Sequence, residues 1–161
     1  MKFSKNVEPI IAGICVTLVI CILSLLTYET STGIWLMISF GPSVFIAFTM
    51  FKSRIAQPSN IFFGHLICII IGIIFNNIFG VSFLTLGLSV GLSISLMMYF
   101  KCVHPPAAAN PLIALLSDVS FEYVLFPVIT GSLVIIILSI FINRFVLKRD
   151  YPEKFFNLKS K

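Results

Sequence analysis

Two histidines are the residues of this sequence best suited to chemistry inside a membrane. His65 and His104 are the chain's only histidines, and each lies in or at the start of an apolar segment. Imidazole has an unperturbed pKa close to neutral pH, so a histidine at membrane depth can bind and release a proton there. We interpret both as candidates for gating or proton coupling, together with Gln57 and Asn60, which precede His65. The alternative is that each imidazole only bonds a carbonyl or lies at headgroup level.

Two proline-containing interruptions within apolar segments predict a binding site. Proline is tolerated in the first turn of a helix but breaks its interior, so both interruptions predict helix starts. The N-terminus of a helix carries partial positive charge and unpaired N–H donors, which suit an anion. Simple kinks in packed helices are the alternative. The predicted substrate contacts are Gly41, Pro42, Ser43, His104, Pro105, Pro106, Ala107 and Asn110.

The second interruption leaves its helix start open. Pro105-Pro106 can begin a helix, but Asn110 followed by Pro111 has the pattern of an N-cap and a first helical residue. The helix therefore starts at Pro106 or at Pro111. Two half-helices entering from opposite sides would point their N-termini toward each other near the middle of the membrane.

The composition identifies a membrane protein. The 161-residue chain is 58% hydrophobic and 11% charged, and its mean hydropathy is +1.08, whereas soluble domains are roughly a quarter charged. The net charge of +5 does not predict nucleic-acid binding, because most basic residues follow the last apolar block. These are Arg144, Lys148, Arg149, Lys154, Lys159 and Lys161.

The apolar blocks predict the topology. Long blocks lie at 9–29, 34–51, 61–79, 83–100 and 124–143, and a shorter one at 104–117. The shorter block reaches only about 21 Å as a helix, against a hydrocarbon core of about 30 Å. If all six blocks cross, every basic group falls on one side, which predicts an inner-membrane protein with both termini cytoplasmic.

The order of the blocks predicts internal symmetry. Each half of the chain reads as a long span, a proline-interrupted segment and a second long span. Three crossings per half would relate the halves by inverted topology, as in many transporters. We therefore predict an all-α membrane protein of about six crossings, with two inverted three-segment repeats broken at Gly41-Pro42 and Pro105-Pro106. Residues 1–145 form one transmembrane domain, and residues 146–161 form a basic cytoplasmic tail.

Catalysis and metal binding are poorly supported. The interiors of the apolar blocks contain no Asp or Glu, and none of the four cysteines forms a Cys-x-x-Cys pair. Cys102 with the two histidines would be a weak metal-site pattern. We expect neither enzymatic activity, nor a cofactor, nor a metal.

The ordered motifs resemble those of the HPP family of integral membrane proteins. The resemblance covers about residues 9–145, and the motifs that carry it are His104-Pro105-Pro106-Ala107-Ala108-Ala109, Phe40-Gly41-x-Ser43, Gln57-Pro58-x-Asn60 with Gly64-His65, and the span before Asn143-Arg144. It implies a membrane domain without the soluble CBS pair of some relatives. It also implies transport, since plastid and cyanobacterial relatives are associated with nitrite movement. Pro42 and Ala108 depart from the small residue and the glycine of many relatives, which bears on the substrate more than on the fold.

The sequence thus predicts a transporter or channel for a small inorganic anion such as nitrite, held near the midplane. The alternatives are a transporter of another small polar solute and a non-transporting membrane scaffold. The expected partners are the lipid bilayer, the anion and further copies of the chain in a homo-oligomer. Six short spans bury little interior, which is the reason to expect an oligomer.

Overall fold

The computed structural model describes residues 7–31 and 33–153. The predictions that depend on Lys2, Lys5, Lys154, Lys159 and Lys161 concern residues outside these ranges. Over the described ranges the chain is helical and contains no β-strand. Its α-helices are α1 (Glu8–Glu29), α2 (Phe40–Thr49), α3 (Pro58–Phe79), α4 (Phe83–Tyr99), α5 (Asn110–Leu116) and α6 (Thr130–Phe141).

Shorter helical pieces extend or connect these helices. Arg54–Ala56 and Pro105–Ala109 are 3₁₀-helical, and π-helical turns at Val124–Ile129 and Ile142–Val146 flank α6. Within the described ranges, three helices are long and apolar enough to cross a membrane: Glu8–Glu29, Pro58–Phe79 and Val124–Val146. The predicted all-α membrane class is therefore confirmed.

The first interruption is a helix start, as predicted. Residues 33–38 are not helical except for the turn that leads into α2, which begins at Phe40 and has Pro42 in its first turn. The hydroxyl of Thr27 on α1 accepts the backbone N–H groups of Trp35 and Leu36, both at 3.1 Å. Irregular backbone in a membrane protein needs such partners, because lipid cannot supply them. Thr27 therefore stabilises the non-helical segment before α2 by supplying an acceptor for two of its backbone N–H groups.

The second interruption is also a helix start, and it begins at the first proline. The 3₁₀ helix Pro105–Ala109 runs directly into α5. Asn110 does not cap the helix, since no side-chain cap bond is made there and its side chain points elsewhere. The helix thus starts at neither Pro106 nor Pro111. It begins as a 3₁₀ turn at Pro105 and becomes α-helical at Asn110.

Helix α3 packs closely against the second interruption through two glycines. A Cβ added at Gly64 would lie 2.8 Å from the Cβ of His104, and one added at Gly72 would lie 2.7 Å from the Cα of Pro111. These separations are too short for any side chain, so the glycines let the 3₁₀ helix and α5 lie directly on the backbone of α3. This contact sets the position of His104 beside His65.

Residues 147–153 pack against one end of the bundle. Tyr151 is buried, and its hydroxyl donates to the carbonyl of Ala56 at 2.7 Å. Burial raises the pKa of this phenol. The guanidinium of Arg149 donates to the carbonyl of Phe48 at 2.9 Å and forms an ion pair with Glu8 at 3.3 Å. This described part of the predicted tail is thus folded onto the helices, and the division of the chain at residue 145 stays a prediction.

Candidate functional site

Five buried polar side chains meet where the two helix starts cross α3. We call them the polar cluster: Ser39 and Ser43 from the start of α2, His65 from α3, His104 from the start of the 3₁₀ helix, and Asn110 from α5. Ser39 is 2% exposed and the other four have no exposed surface. Both interruptions and α3 therefore contribute side chains to one cluster.

Ser43 is the centre of the polar cluster. Its hydroxyl oxygen lies 2.8 Å from Nε2 of His65 and 2.9 Å from Nε2 of His104. It also lies 2.9 Å from the carbonyl oxygen of Ser39, to which it can donate. The two imidazole rings are 5.0 Å apart between centroids. One small hydroxyl thus bridges both histidines of the chain.

Asn110 closes the polar cluster on its other side. Its Oδ1 accepts the hydroxyl of Ser39 at 2.8 Å. Its Nδ2 lies 3.0 Å from Nδ1 of His65 and donates to the carbonyl of the same residue at 3.1 Å. Each member of the cluster is hydrogen-bonded to another, as buried polar groups in an apolar bundle require.

The two helix starts lie side by side rather than end to end. Ser39 pairs with Asn110 and, four residues later, Ser43 pairs with His104, so the two segments run in opposite directions. His65 is the eighth of the 22 residues of α3, about 10 Å from the start of that helix at 1.5 Å per residue. The polar cluster therefore lies about one turn from the middle of the longest helix that it touches.

The backbone amides at these starts are largely engaged within their own turns. Phe40 N–H donates to the carbonyl of Met37 at 3.0 Å, and Ala107 N–H donates to that of His104 at 3.0 Å. Side chains, rather than the amides we had expected, therefore face one another across the two starts. This is the main respect in which the geometry differs from the sequence-based picture of the site.

The remaining predicted contacts lie around the polar cluster and not in it. Pro106 and Ala107 are buried beside it, whereas Pro42 and Pro105 face outward. Gly41 lines a cavity of about 480 Å³ together with residues of α1, α5 and the loops that follow them. A neighbouring cavity of about 770 Å³ shares part of that lining and contains Glu122. Together these cavities reach the first turn of α2 from the side on which α1 and α5 end.

Gln57 and Asn60, predicted as gating or coupling candidates, support the backbone beneath His104. The amide of Gln57 donates to the carbonyls of Phe51 and Ser53 at 2.9 and 3.0 Å. The amide of Asn60 donates to the carbonyl of Val103 at 2.9 Å. Neither amide contacts the polar cluster in these bonds. Both side chains instead stabilise the loop backbone that they donate to.

Sequence reasoning missed Ser39 and the carbonyl of Ile55. That carbonyl lies 2.7 Å from Nδ1 of His104. Ser39 stands four residues before Ser43, so a helical extension of α2 would place both on one face, and this spacing was the available signal. No signal in the sequence pointed to the Ile55 carbonyl, because a contact between residues 55 and 104 depends only on tertiary packing.

The fold and the site together define a class. Over residues 7–31 and 33–153 the protein is a helical membrane protein with two proline-initiated short helices joined at a closed polar cluster. No three His, Cys, Asp or Glu side chains of these ranges are grouped so that they could hold a metal ion.

The chain belongs to the HPP family, as its motifs predicted. The HPP transmembrane region matches residues 2–152. Two transmembrane proteins of Dictyostelium discoideum are similar to it, one 32% identical over 144 residues and the other 30% identical over 147 residues. Each alignment covers 83% of this chain but 46% and 50% of the respective relative. The chain therefore spans about half the length of these curated relatives. No solved structure matches it.

Proposed function

We propose that this HPP protein is a transporter or channel for a small inorganic anion such as nitrite, and that it is not an enzyme. The proposal includes an inner-membrane location, six crossings in two inverted repeats, cytoplasmic termini and a homo-oligomeric assembly. The observation that carries it is the polar cluster, in which five fully or almost fully buried polar side chains join both helix starts to α3.

The polar cluster offers hydrogen-bond donors at one point inside an apolar bundle. The hydroxyls of Ser39 and Ser43, the amide of Asn110 and the ring N–H groups of the histidines are donors. An anion of two to four atoms could accept from several of them by replacing bonds that they now make with each other. The start of α2 adds partial positive charge at the same place. Polar and ionisable groups at this depth are costly, which favours a functional reason for them.

The cavities beside the polar cluster supply an approach from one side. Gly41 lies two residues before Ser43 and lines the smaller cavity, where an added Cβ would meet open space. On the opposite side, the turn at residues 50–57 and the segment with Tyr151 cover the bundle. Passage therefore requires a movement that opens this covered side, as alternating access does. Glu122 in the larger cavity opposes anions, so selectivity for an anion has to arise deeper, at the polar cluster.

The opposite directions of the two short segments support inverted repeats. In an inverted topology, corresponding elements of the two halves run antiparallel, and the substrate site lies where the repeats meet. The α2 start and the segment from His104 to Asn110 have this relation through the Ser39–Asn110 and Ser43–His104 contacts. They occupy the middle position of their respective halves.

Counterflow in proteoliposomes tests the proposal. Vesicles containing the protein are loaded with nitrite, and uptake of labelled nitrite is compared with that of formate, nitrate, chloride and neutral urea. We expect counterflow of at least one small anion well above that of empty vesicles. Uptake of urea alone would indicate that the protein transports another small polar solute and not an anion.

A scaffold is the second candidate, and one observation favours it. Each side chain of the polar cluster has a hydrogen-bond partner within the cluster, which is also how polar residues hold membrane helices together. A scaffold predicts no flux of any solute by correctly folded protein. The absence of flux over the whole panel, with normal helicity and a single size-exclusion peak, would therefore favour the scaffold over the transporter.

A further inference from the structure

We propose that the polar cluster is a binding site for one proton, which is held at Nε2 of His104 with Ser43 as its acceptor. The proton site itself does not depend on the proposed function. Its coupling to an anion does rest on that function. Backbone carbonyls around the cluster can only accept hydrogen bonds, so they determine which nitrogen atoms of the cluster carry hydrogens.

The first fixed point is the tautomer of His104. Its Nδ1 lies 2.7 Å from the carbonyl oxygen of Ile55. A carbonyl can only accept, so Nδ1 carries a hydrogen. In the neutral ring the other nitrogen, Nε2, is then unprotonated and can only accept. This is the nitrogen that lies 2.9 Å from the hydroxyl of Ser43.

The second fixed point is the orientation of the Asn110 amide. Its nitrogen faces the backbone carbonyl of His65 at 3.1 Å, which requires a donor at that position. The same nitrogen lies 3.0 Å from Nδ1 of His65. That ring nitrogen therefore accepts, and in neutral His65 the hydrogen is on Nε2. His65 thus donates from Nε2 to the hydroxyl oxygen of Ser43 at 2.8 Å.

The count at Ser43 is one hydrogen short. Its oxygen makes three contacts, with His65 Nε2, His104 Nε2 and the carbonyl of Ser39. His65 supplies one hydrogen and the serine hydroxyl supplies a second. The hydroxyl therefore bonds either His104 or the Ser39 carbonyl, and one of these two 2.9 Å contacts goes without a hydrogen. The Ser39 carbonyl also accepts the backbone N–H of Ser43 at 3.4 Å, so the hydroxyl of the neutral cluster is free to bond His104.

One added proton completes the set. If Nε2 of His104 binds a proton from water, it becomes a donor to Ser43, and the serine hydroxyl rotates to the carbonyl of Ser39. Three contacts then have three hydrogens, no heavy atom has moved, and the cluster gains one positive charge. The Ile55 carbonyl remains bonded to the charged ring, and bonds to a charged group are the stronger kind.

His65 is a poorer place for the same proton. A hydrogen on its Nδ1 would point at the amide nitrogen of Asn110, which is itself a donor to the adjacent carbonyl. Protonation there would break a bond that protonation of His104 preserves. The geometry therefore distinguishes two histidines that look equivalent in the sequence.

Among the titratable groups on the elements around His104, the two histidines are the ones that belong to the polar cluster. These surrounding groups are His65 and Cys68 on α3, Cys102 in the preceding loop, and Tyr151 and Glu153 in the C-terminal segment. Thiols and phenols release their protons only at alkaline pH. Glu153 lies at the covered end, where its backbone N–H contacts Gln57. Lys101 and Arg54 are exposed.

The proton also suggests how an anion is held. A positive charge on His104 beside the donors of Ser39, Ser43 and Asn110 would attract an anion, and a bound anion would in turn stabilise the proton. This coupling is reciprocal by thermodynamic necessity. Movement of one anion with one proton carries no net charge, which suits a site enclosed by apolar helices.

Nitrogen NMR of the intact chain in lipid bilayers tests the proton site. With histidine as the only ¹⁵N-labelled residue, two rings give four signals, recorded from about pH 8 to about pH 4. At high pH we expect two protonated and two unprotonated nitrogens. On acidification, the Nε2 signal of His104 should move to the protonated range while Nδ1 of His65 stays unprotonated. Protonation of His65 first, or of neither ring in folded protein, would overturn the proposal.

Variants of Ser43 separate the site from a general effect of acid. Ser43→Ala removes the acceptor of the charged ring, so the midpoint of the His104 titration should fall by about one pH unit or more. Ser43→Thr keeps the hydroxyl and should restore the parent midpoint. Ser95→Ala, on the exposed face of α4, should change nothing. An unchanged midpoint in Ser43→Ala would contradict the assigned acceptor.

Addition of nitrite to the same sample tests the coupling. Saturating nitrite should raise the His104 midpoint by about one pH unit, within the usual range of coupling between sites. A proton site that ignores all small anions, in a protein without flux, would refute the proposed function and leave the proton site intact. Anion flux with both histidines neutral would refute the proton site and leave the proposed function intact.

Discussion

Asn110 connects three elements of the site through one amide group. Its amide connects Ser39 on the first helix start with the ring and the backbone carbonyl of His65. It does so from within α5, so the amide also sets the distance between α5 and α3. A substitution at this residue therefore tests whether the polar cluster does more than hold helices together.

We expect Asn110→Leu to abolish anion flux and to destabilise the protein by about 1–3 kcal/mol. Leucine is similar in size but leaves Ser39 and Nδ1 of His65 without their partner, and unpaired buried groups cost about this much. Counterflow and thermal unfolding in detergent measure the two effects. Asn77→Leu, at the exposed end of α3, is the matched control and should resemble the parent. Full flux in Asn110→Leu would remove the cluster from the transport path.

Much of the site at this scale could be predicted from residue types. Ser43, His65, His104 and Asn110 were singled out because they are polar groups at proline breaks or in apolar segments. Their mutual contacts were not predictable, since they depend on how α3 packs against two other segments. Ser39 was missed because it precedes the Gly-Pro break, where the expected helix had not yet begun.

The short helices depend on glycines for their position. Gly131 on α6 lies against the start of α2, so that an added Cβ would be 2.5 Å from the carbonyl oxygen of Trp35 and would clash with the ring of Phe40. Backbone atoms cannot give way as a flexible side chain can. Gly131 therefore fixes α6 against the segment that delivers Ser39 and Ser43.

We expect Gly131→Ala to destabilise the protein by about 1–3 kcal/mol, as overpacking in a close contact does. Gly87→Ala is the matched control, because an added Cβ on α4 meets nothing within 4 Å. Alanine there should be neutral or slightly stabilising, given its higher helix propensity. Circular dichroism during heating in detergent measures both. Equal midpoints for the two variants would show that α6 can move away from α2 at little cost.

At the scale of elements, the sequence located the helix starts but not their arrangement. Proline and glycine restrict the local backbone, which is why both starts fall within one or two residues of the predicted breaks. The side-by-side overlap depends instead on Gly64 and Gly72, which contact His104 and Pro111, 40 and 39 residues away in the chain. A local pattern carries no information about such distances.

The covered end of the bundle links the C-terminal segment to the site. Tyr151 donates to the carbonyl of Ala56, and the preceding carbonyl, that of Ile55, contacts His104. The charge of this segment predicts a tail, and a single tyrosine within a basic sequence does not indicate that the segment packs against the helices. The whole molecule is thus more closed at this end than the sequence indicated.

We expect Tyr151→Phe to lower stability by about 1 kcal/mol at neutral pH, because the Ala56 carbonyl loses its donor. Burial raises the pKa of Tyr151 in the folded protein, so the stability that the neutral phenol provides should be lost as pH rises above about 10, the value for an unfolded tyrosine. The variant has no such loss. Tyr99→Phe, at an exposed tyrosine, should keep the parent profile. Identical alkaline unfolding of parent and Tyr151→Phe would contradict this burial.

The assembly of the molecule stays a prediction at this scale. Exposed apolar side chains on the outer faces of the helices suit lipid and a second copy equally well. Crosslinking in native-like bilayers addresses it, and a monomer alone would count against the homo-oligomer. The proposed transport site does not depend on that outcome, since all five side chains of the polar cluster come from one chain.

Nitrite counterflow by Ser43→Ala, compared with Ser95→Ala and the parent at equal protein density in the same lipid, tests the central claim most directly. The Ser43 hydroxyl is hydrogen-bonded to both histidines, so it is the group that the proposed passage of an anion can least do without. We expect flux near the background in Ser43→Ala and parental flux in Ser95→Ala. Parental flux in both would contradict the account, because the anion would then cross the membrane without using the polar cluster.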